Sequence, residues 1–189
     1  MYSDEQLARL FQQGNESALE TIVHRYHGPI HAYIVRMGGE YHIASDLAQE
    51  VFIKVCRHIG RYKSDLPFRP WIYTIASNTY KDHLKKAYVQ RDVIGTELGD
   101  EFAVTLDTPE ASFLENSERE TVLAAMKQLG DIYREVLVLR YYQDLKLEEI
   151  ALTLQIPVGT VKSRLSTALH RLEKVLVEEV GSNVGTARG

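Results

Sequence analysis

The stretch DLKLEEIALTLQIPVGTVKSRLSTALHRL, Asp144–Leu172, decides the fold of the second half of this chain. Ile150, Ala151 and Leu154 recur at helical offsets, and small Ala151 leaves room where a second helix has to pass. Pro157 stops the intervening turn, and Thr160 supplies a hydroxyl where a helix start calls for an N-cap. Downstream, Val161, Leu165, Ala168, Leu172 and Leu176 form one apolar stripe, and Lys162, Ser163, Ser166, Thr167 and His170 lie opposite it. Two short helices across a tight turn, the second polar and basic on its outer face, make a helix-turn-helix. That arrangement puts side chains into the DNA major groove. An ordinary helical hairpin with a solvated face has similar spacing. Against it, Val158–Lys174 carries Lys162, Arg164, Arg171 and Lys174 against the single acid Glu173, a surplus suited to a phosphate backbone. The residues placed to meet duplex DNA are Thr160, Lys162, Ser163, Arg164, Ser166, Thr167, His170 and Arg171.

The rest of the composition sets bounds. A chain of 189 residues, 44% hydrophobic, holds one domain or two small ones. No run of about 18 apolar residues is present, and MYSDEQLARL lacks the basic start and apolar stretch of a signal peptide, so the expected compartment is the cytoplasm. The single cysteine, Cys56, can form no internal disulfide and reads as a small core residue. His24, His27 and His31 fall at helical offsets, but a structural zinc site needs four nitrogen or sulfur ligands; neither metal nor cofactor is expected.

A formal net charge of −4 is unusual for a chain that meets DNA, so its distribution matters more than its sum. Residues 1–86 hold eleven bases and nine acids, residues 87–117 one base and seven acids, and residues 118–189 ten of each. Within the first block, residues 54–86 contain eight bases and only two acids, Asp65 and Asp82, with aromatics interleaved. The acidic segment 88–116 has Gly95, Gly99 and Pro109 and no sustained helical period, and reads as a flexible linker. Before it, helices are predicted over Ser3–Gln13, capped by Ser3 with Gln6, over Glu16–Met37 with a break at Gly28–Pro29, over Ile43–Gly60, and from Phe68 to about Ala87. After it, they are predicted near Phe113–Gln128, Asp131–Tyr142, Leu147–Leu154 and Val158–Glu179. The fold class is all-α: two small helical domains, 1–87 and 117–180, joined by the linker and followed by a disordered tail, 181–189.

In the first domain Asp46, Gln49 and Glu50 share one helix face while Leu47, Val51 and Val55 share another. Spacing alone makes the former a solvated acidic face. The helix FRPWIYTIASNTYKDHLKK, Phe68–Lys86, turns Ile72, Ile75, Ala76 and Thr79 inward and lines Trp71, Thr74, Asn78, Lys81 and Lys85 along another side. An aromatic, an amide and ammonium groups on one strip are what a single strand needs for stacking, base-edge hydrogen bonds and phosphate pairing. Trp71 by itself is more simply read as core.

Together, LARLFQQGNESALETIVHRY, DLAQEVFIKV, FRPWIYTIASNTYKDHLKK and YREVLVLRYYQDLKLEEIALTLQIPVGTVKSRL, in that order and with the linker between, resemble the bacterial sigma factors of the extracytoplasmic-function (ECF) class. The resemblance spans essentially the whole chain. It implies a second and a fourth sigma domain, no catalytic activity, and promoter-specific initiation within RNA polymerase holoenzyme. It turns the Asp46, Gln49, Glu50 face into a docking surface for the clamp helices of the largest polymerase subunit. Single-stranded −10 DNA falls to Lys54, Arg57, His58, Arg61, Lys63, Trp71, Asn78 and Lys81, with Asn78 near a flipped base. The helix-turn-helix is left to read the −35 element beside the polymerase flap. A cognate anti-sigma factor, in some cases one that tethers the chain at the inner membrane face, and a monomer when free are further implications.

This chain departs from the family pattern after VGTVKSRL, where arginines are usual and Ser166, Thr167, Ala168 and Leu169 stand instead. A threonine makes weaker, less selective base contacts than a bidentate arginine, which gives about 1–3 kcal/mol of discrimination. Gln155 stands where glycine is frequent and Lys146 where a capping serine is frequent. A second reading, an operator-binding regulator with a sensory N-terminal domain, accounts for the helix-turn-helix but leaves DLAQE and the basic block unexplained. An enzyme has no support in a phosphate loop, HExxH or nucleophile elbow.

Overall fold

The structure, a computed structural model, describes residues 2–63, 65–94 and 121–186. Among them every regular element is helical: α1 (Asp4–Gln12), α2 (Glu16–Arg36), α3 (Tyr41–His58) ending in a 3₁₀ turn (Ile59–Arg61), α4 (Phe68–Ile94), α5 (121–127), α6 (Asp131–Leu137) widening into a π turn (Val138–Tyr142), α7 (Leu147–Leu154) and α8 (Val158–Thr186). No helix among them is long and apolar enough to cross a membrane.

Local chemistry sets the helix starts. The Ser3 hydroxyl accepts from the Gln6 N–H at 3.2 Å and the Gln6 side chain accepts from the Ser3 N–H at 2.9 Å, the predicted capping box. Asn15 caps α2 through the Ala18 N–H. The α2 helix does not break at Pro29. Tyr26, Ile30, Tyr33 and Ile34 continue one buried stripe through it, and a continuous stripe of that size outweighs the roughly 3 kcal/mol that an interior proline costs.

Two predicted helix ends shift, and one predicted cap. α4 runs on to Ile94, so residues 88–94 are helical rather than linker; no breaker precedes Gly95, and extending a formed helix adds one backbone bond per residue fixed. The remainder of the predicted linker, and the start of the helix predicted from Phe113, lie outside the described residues. By the same propagation α8 continues to Thr186, so the tail predicted from 181 is helical up to that point. α8 begins at Val158 as predicted, but Thr160 is not its cap: Pro157 occupies the cap position and Thr160 sits in the first turn with its N–H bonded to the Pro157 carbonyl at 2.9 Å.

The buried side chains form one continuous core across both halves. Ile22, Ile30 and Ile34 of α2, Val51 of α3 and Phe68 and Ile72 of α4 meet Val136, Leu139, Ile150 and Val161 from the second half. Each contributes about 1.5–3 kcal/mol on leaving water. α7 lies across α4, and the π turn packs on α2. The helix-turn-helix therefore closes against the first half rather than hanging from it.

Candidate nucleic-acid interface

α3 presents two contrasting faces. Ala44, Leu47, Ala48, Val51, Phe52 and Val55 are buried, while Asp46, Gln49, Ile53 and Cys56 are exposed at offsets of three and four. Cys56 is thus not a core residue: it lies one position past buried Val55, about 100° around the helix, on the solvent side. Ile53, 50% exposed in the middle of this face, is an apolar residue that the acidic pattern of Asp46, Gln49 and Glu50 obscured. Glu50 is held by Lys54 at 2.9 Å.

The basic strip starts at that same Lys54, whose ammonium also donates to the Thr79 hydroxyl on α4 at 3.0 Å. Arg57, His58, Arg61 and Lys63 follow, all exposed, along the end of α3 and the loop beyond it. This loop is pinned from α1. The Gln12 amide donates to the carbonyls of Ile59 and Tyr62, and the Glu5 carboxylate accepts from the Phe68 N–H at 3.1 Å, capping α4 from another helix. Partial burial pushes the Glu5 carboxyl up, but hydrogen bonds from the Phe68 and Glu5 N–H groups and from Ser3 outweigh it and hold it below its usual range. The Tyr62 hydroxyl donates to the Leu66 carbonyl within the loop.

On α4, Trp71 is half-buried against Tyr62 and Phe68, at ring separations of 5.1 and 5.4 Å. Asn78, two turns on, is exposed. The predicted strip divides here. Thr74 donates to the Thr153 carbonyl of α7 at 3.0 Å, and Lys81 pairs with Glu135 of α6 at 2.9 Å. Both side chains are tied to the second half of the chain while remaining partly exposed.

In the second half, Lys162, Ser163, Ser166, His170 and Arg171 are exposed on α8, and Thr160, Arg164 and Thr167 are partly so. All eight predicted residues sit away from the Val161, Leu165, Ala168 stripe, which is buried. The Arg171 guanidinium lies 4.3 Å over the Tyr133 ring. α7 is preceded by its cap residue Lys146, whose N–H bonds the Glu149 carboxylate at 2.7 Å, and followed by Gln155 in the left-handed region, φ 54°. The turn thus has the geometry for which glycine is the unstrained residue.

Two contiguous surfaces of opposite task stand on this scaffold, a basic strip beside an exposed amide and a polar recognition helix. Two family models match in that order, Sigma-70 region 2 over residues 22–88 and Sigma-70 region 4 over residues 125–174. The RNA polymerase sigma-H factor of Pseudomonas aeruginosa is 35% identical over 180 residues, covering 92% of this chain and 93% of that protein. The ECF RNA polymerase sigma factor SigW of Bacillus subtilis is 34% identical over 172 residues, covering 87% and 92%. The chain belongs to the ECF sigma factors. The fold agrees with that of the sigma factor RpoE from Bartonella quintana, solved in complex with the anti-sigma factor NepR, at a TM-score of 0.69, 20% identity, and 83% and 95% coverage.

As a member of this family the chain is an alternative sigma factor, a class of transcription initiation factors. Asp46 to Lys81 all fall inside the region 2 match and Thr160 to Arg171 inside the region 4 match. The first match occupies the half that an operator-binding regulator would use as a sensor, and that second reading is set aside. What sequence reasoning missed is the set of residues joining the two regions, chiefly Tyr33, Arg69, Tyr73, Ser77, Glu135 and Gln143. One signal was present: Glu135, with Arg134 before it, precedes the apolar run Val136–Leu139, and a carboxylate drawn into such a helix core has to be paired.

Proposed function

We propose that this chain binds RNA polymerase core through the α3 face of Asp46, Gln49 and Glu50, with Ile53 at its centre, on the clamp helices of the largest subunit. Lys54, Arg57, His58, Arg61 and Lys63 then guide the separated −10 strand past Trp71, a flipped base meets Asn78, and Lys81 joins once it is released from Glu135. Unstacking that base costs a few kcal/mol, offset by stacking and phosphate contacts. The exposed residues of α8 read the −35 element while region 4 rests near the flap, and the acidic segment after α4 follows the path of the transcript. A cognate anti-sigma factor holds the chain inactive in the cytoplasm or at the inner membrane face; the similarity to a sigma factor solved with its anti-sigma factor supports this. The observation that carries the reading is the order of the two matched regions with an exposed basic strip beside Asn78 in the first and an exposed polar helix in the second.

The test is reconstitution. Core polymerase supplied with the chain initiates at the promoter found by mapping transcript starts after its overproduction, and core alone does not. Asp46→Ala weakens core binding, whereas Asn78→Ala binds core normally and fails to open the promoter. A chain that does not bind core ends the reading.

A further inference from the structure

The loop between α3 and α4 is held from α1. The Gln12 side-chain amide has two hydrogens, and they go to main-chain carbonyls 47 and 50 residues later, Ile59 at 2.8 Å and Tyr62 at 2.7 Å. At the far end of the loop the Glu5 carboxylate takes the Phe68 N–H at 3.1 Å. α1 therefore grips both ends of the loop, and it is itself fixed. Leu7 and Ala8 are buried, and Asp4 receives the Arg25 guanidinium at 2.6 Å and the Tyr26 hydroxyl at 2.5 Å from α2. Between the two grips Tyr62, 4% exposed, packs against Phe68 and Trp71, which leaves its neighbours Arg61 and Lys63 outside. Gln12 as a residue is exposed, so burial does not call for an amide at this position; the two carbonyls do. Neither Glu5 nor Gln12 lies within the region 2 match, which begins at residue 22.

Carbonyls at a helix end have no partner within the helix, and a loop without a brace spreads over several backbone states. Phosphate contacts set the register of a strand, and base contacts read it. Arg61 and Lys63 on the loop and Asn78 on α4 supply these two functions from different elements, so their separation decides which base meets the Asn78 amide. A site that reads one base needs its groups held to within about 0.5 Å. We propose that Gln12 and Glu5 are positioning residues for the −10 strand: α1 fixes the loop carrying Arg61 and Lys63 relative to Asn78, and so sets base selectivity without touching DNA. This rests on the reading of Arg61, Lys63 and Asn78 as −10 contacts.

The experiment uses the full chain and its one tryptophan, Trp71, whose ring lies 5.1 Å from that of Tyr62. Gln12→Glu keeps the shape and turns a carboxylate towards the two carbonyls; Gln12→Leu removes the donors without adding charge. Gln13→Glu, at the next exposed position, makes the same charge change about 100° further round the helix. In the free chain both Gln12 variants should raise acrylamide quenching of Trp71 about twofold, the mark of a loop that opens locally, and Gln13→Glu should not. Holoenzyme is then bound to single-stranded −10 oligonucleotides of the mapped promoter that differ only at the most strongly selected base. Its preference there should fall about tenfold in both Gln12 variants and in Glu5→Ala, the order expected for losing hydrogen bonds that hold the loop, with core binding unchanged. A loss of stability lowers the active fraction for every oligonucleotide alike and leaves the ratio untouched, so the ratio separates positioning from folding. Unchanged quenching, full wild-type preference in the Gln12 variants, or an equal change in Gln13→Glu overturns the proposal alone. Wild-type holoenzyme that prefers no base at any position overturns the −10 reading beneath it, and the proposal with it.

Discussion

The phenol of Tyr33 donates a 3.0 Å hydrogen bond to the carboxylate of Glu135, 102 residues later in the chain, where both are almost completely buried. The bond ties α2 to α6 through two buried side chains, and its loss can be measured without making a cavity. Tyr33→Phe removes one hydroxyl and leaves Glu135 its bonds to Ser77 and Lys81. Hydrogen bonds to charged groups contribute about 1.5–3 kcal/mol, and the retained partners put this loss at the low end. Urea unfolding should show a lower midpoint with an unchanged slope; an unaltered midpoint would remove Tyr33 from the bonds that join the two halves.

Alkaline pH should unfold the protein early. Burial, then the nearby Glu135 charge, pushes the Tyr33 phenol well above its usual range, and burial raises Tyr26 and Tyr73 as well. Burial, followed by the Asp131 charge, takes Tyr80 up to about 12. A folded-state value above the unfolded one means the folded chain holds protons that the unfolded chain releases. The stabilisation is therefore complete below about pH 10, where unfolded tyrosine titrates, and declines as pH rises from there towards the folded values. Urea midpoints at pH 8, 10 and 11 should fall in that order, and the fall should shrink in Tyr33→Phe. A midpoint that stays level to pH 11 contradicts the assignment.

Backbone strain at two turns predicts opposite signs. Gln155 adopts φ 54°, which costs a residue with a Cβ about 1–2 kcal/mol, partly offset by the greater unfolded-state freedom of glycine. Gln155→Gly should therefore stabilise by about 1 kcal/mol and raise Tm by about 2–4 °C. Gly38, at φ 107°, ends α2 with Arg134 and Tyr80 side-chain atoms 3.3 and 3.4 Å from where a Cβ would sit. Gly38→Ala should lower Tm. Shifts of the same sign in both variants would show that turn geometry is not the cause.

These turns also show what the sequence could and could not express. The helix-turn-helix was legible because its signals are local: an apolar stripe at period 3.6, a proline after the turn and a surplus of bases on the second helix. The cap at Ser3 and the buried faces of α3 and α4 were legible for the same reason. The break expected at Pro29 reflects a local rule overridden by burial of Tyr26 and Ile30 on either side of it. Cys56 was misplaced because small size is a weak guide to side, whereas its distance from Val55 around the helix decides it. The bonds that join the two halves were barely legible, with a carboxylate at Glu135 inside a largely apolar run as their one signal. Tyr33, Ser77 and Glu135 share no spacing rule, and nothing along the chain says that Lys81 points to an acid 54 residues away rather than to a phosphate. Surfaces that meet across a long connection are written in three dimensions only.

The native cysteine makes the docking face testable without engineering. Cys56 follows Gln49 and Ile53 by seven and three residues on the exposed side of α3, so a polymerase seated on that face covers its thiol. Core polymerase should slow maleimide labelling of Cys56 at least tenfold, and Ile53→Asp should abolish both the protection and core binding while the far-ultraviolet circular dichroism stays the same. Glu50→Ala is a poorer probe, because it also releases Lys54 from a 2.9 Å ion pair. Equal labelling rates with and without core would place the docking surface elsewhere.

On α8 the same logic separates grip from reading. Lys162 is exposed one turn into the helix and carries a charge with no directional fork, so it suits a phosphate. Ser166, four residues on and exposed, is short and can only reach a base edge if the helix lies deep in the groove. In holoenzyme bound to its mapped promoter, Lys162→Ala should weaken binding to a similar degree on every −35 variant and lower the slope of log affinity against log salt by about 1. Ser166→Ala should leave the salt slope alone and relax preference at one base pair. Thr167→Arg should do the reverse, adding a bidentate donor and with it a preference for guanine at a single position, with about 1–3 kcal/mol of discrimination. If Lys162→Ala changes the preferred sequence, or Thr167→Arg raises affinity equally for all −35 variants, the recognition helix is seated in another register and the roles assigned to its two rows exchange.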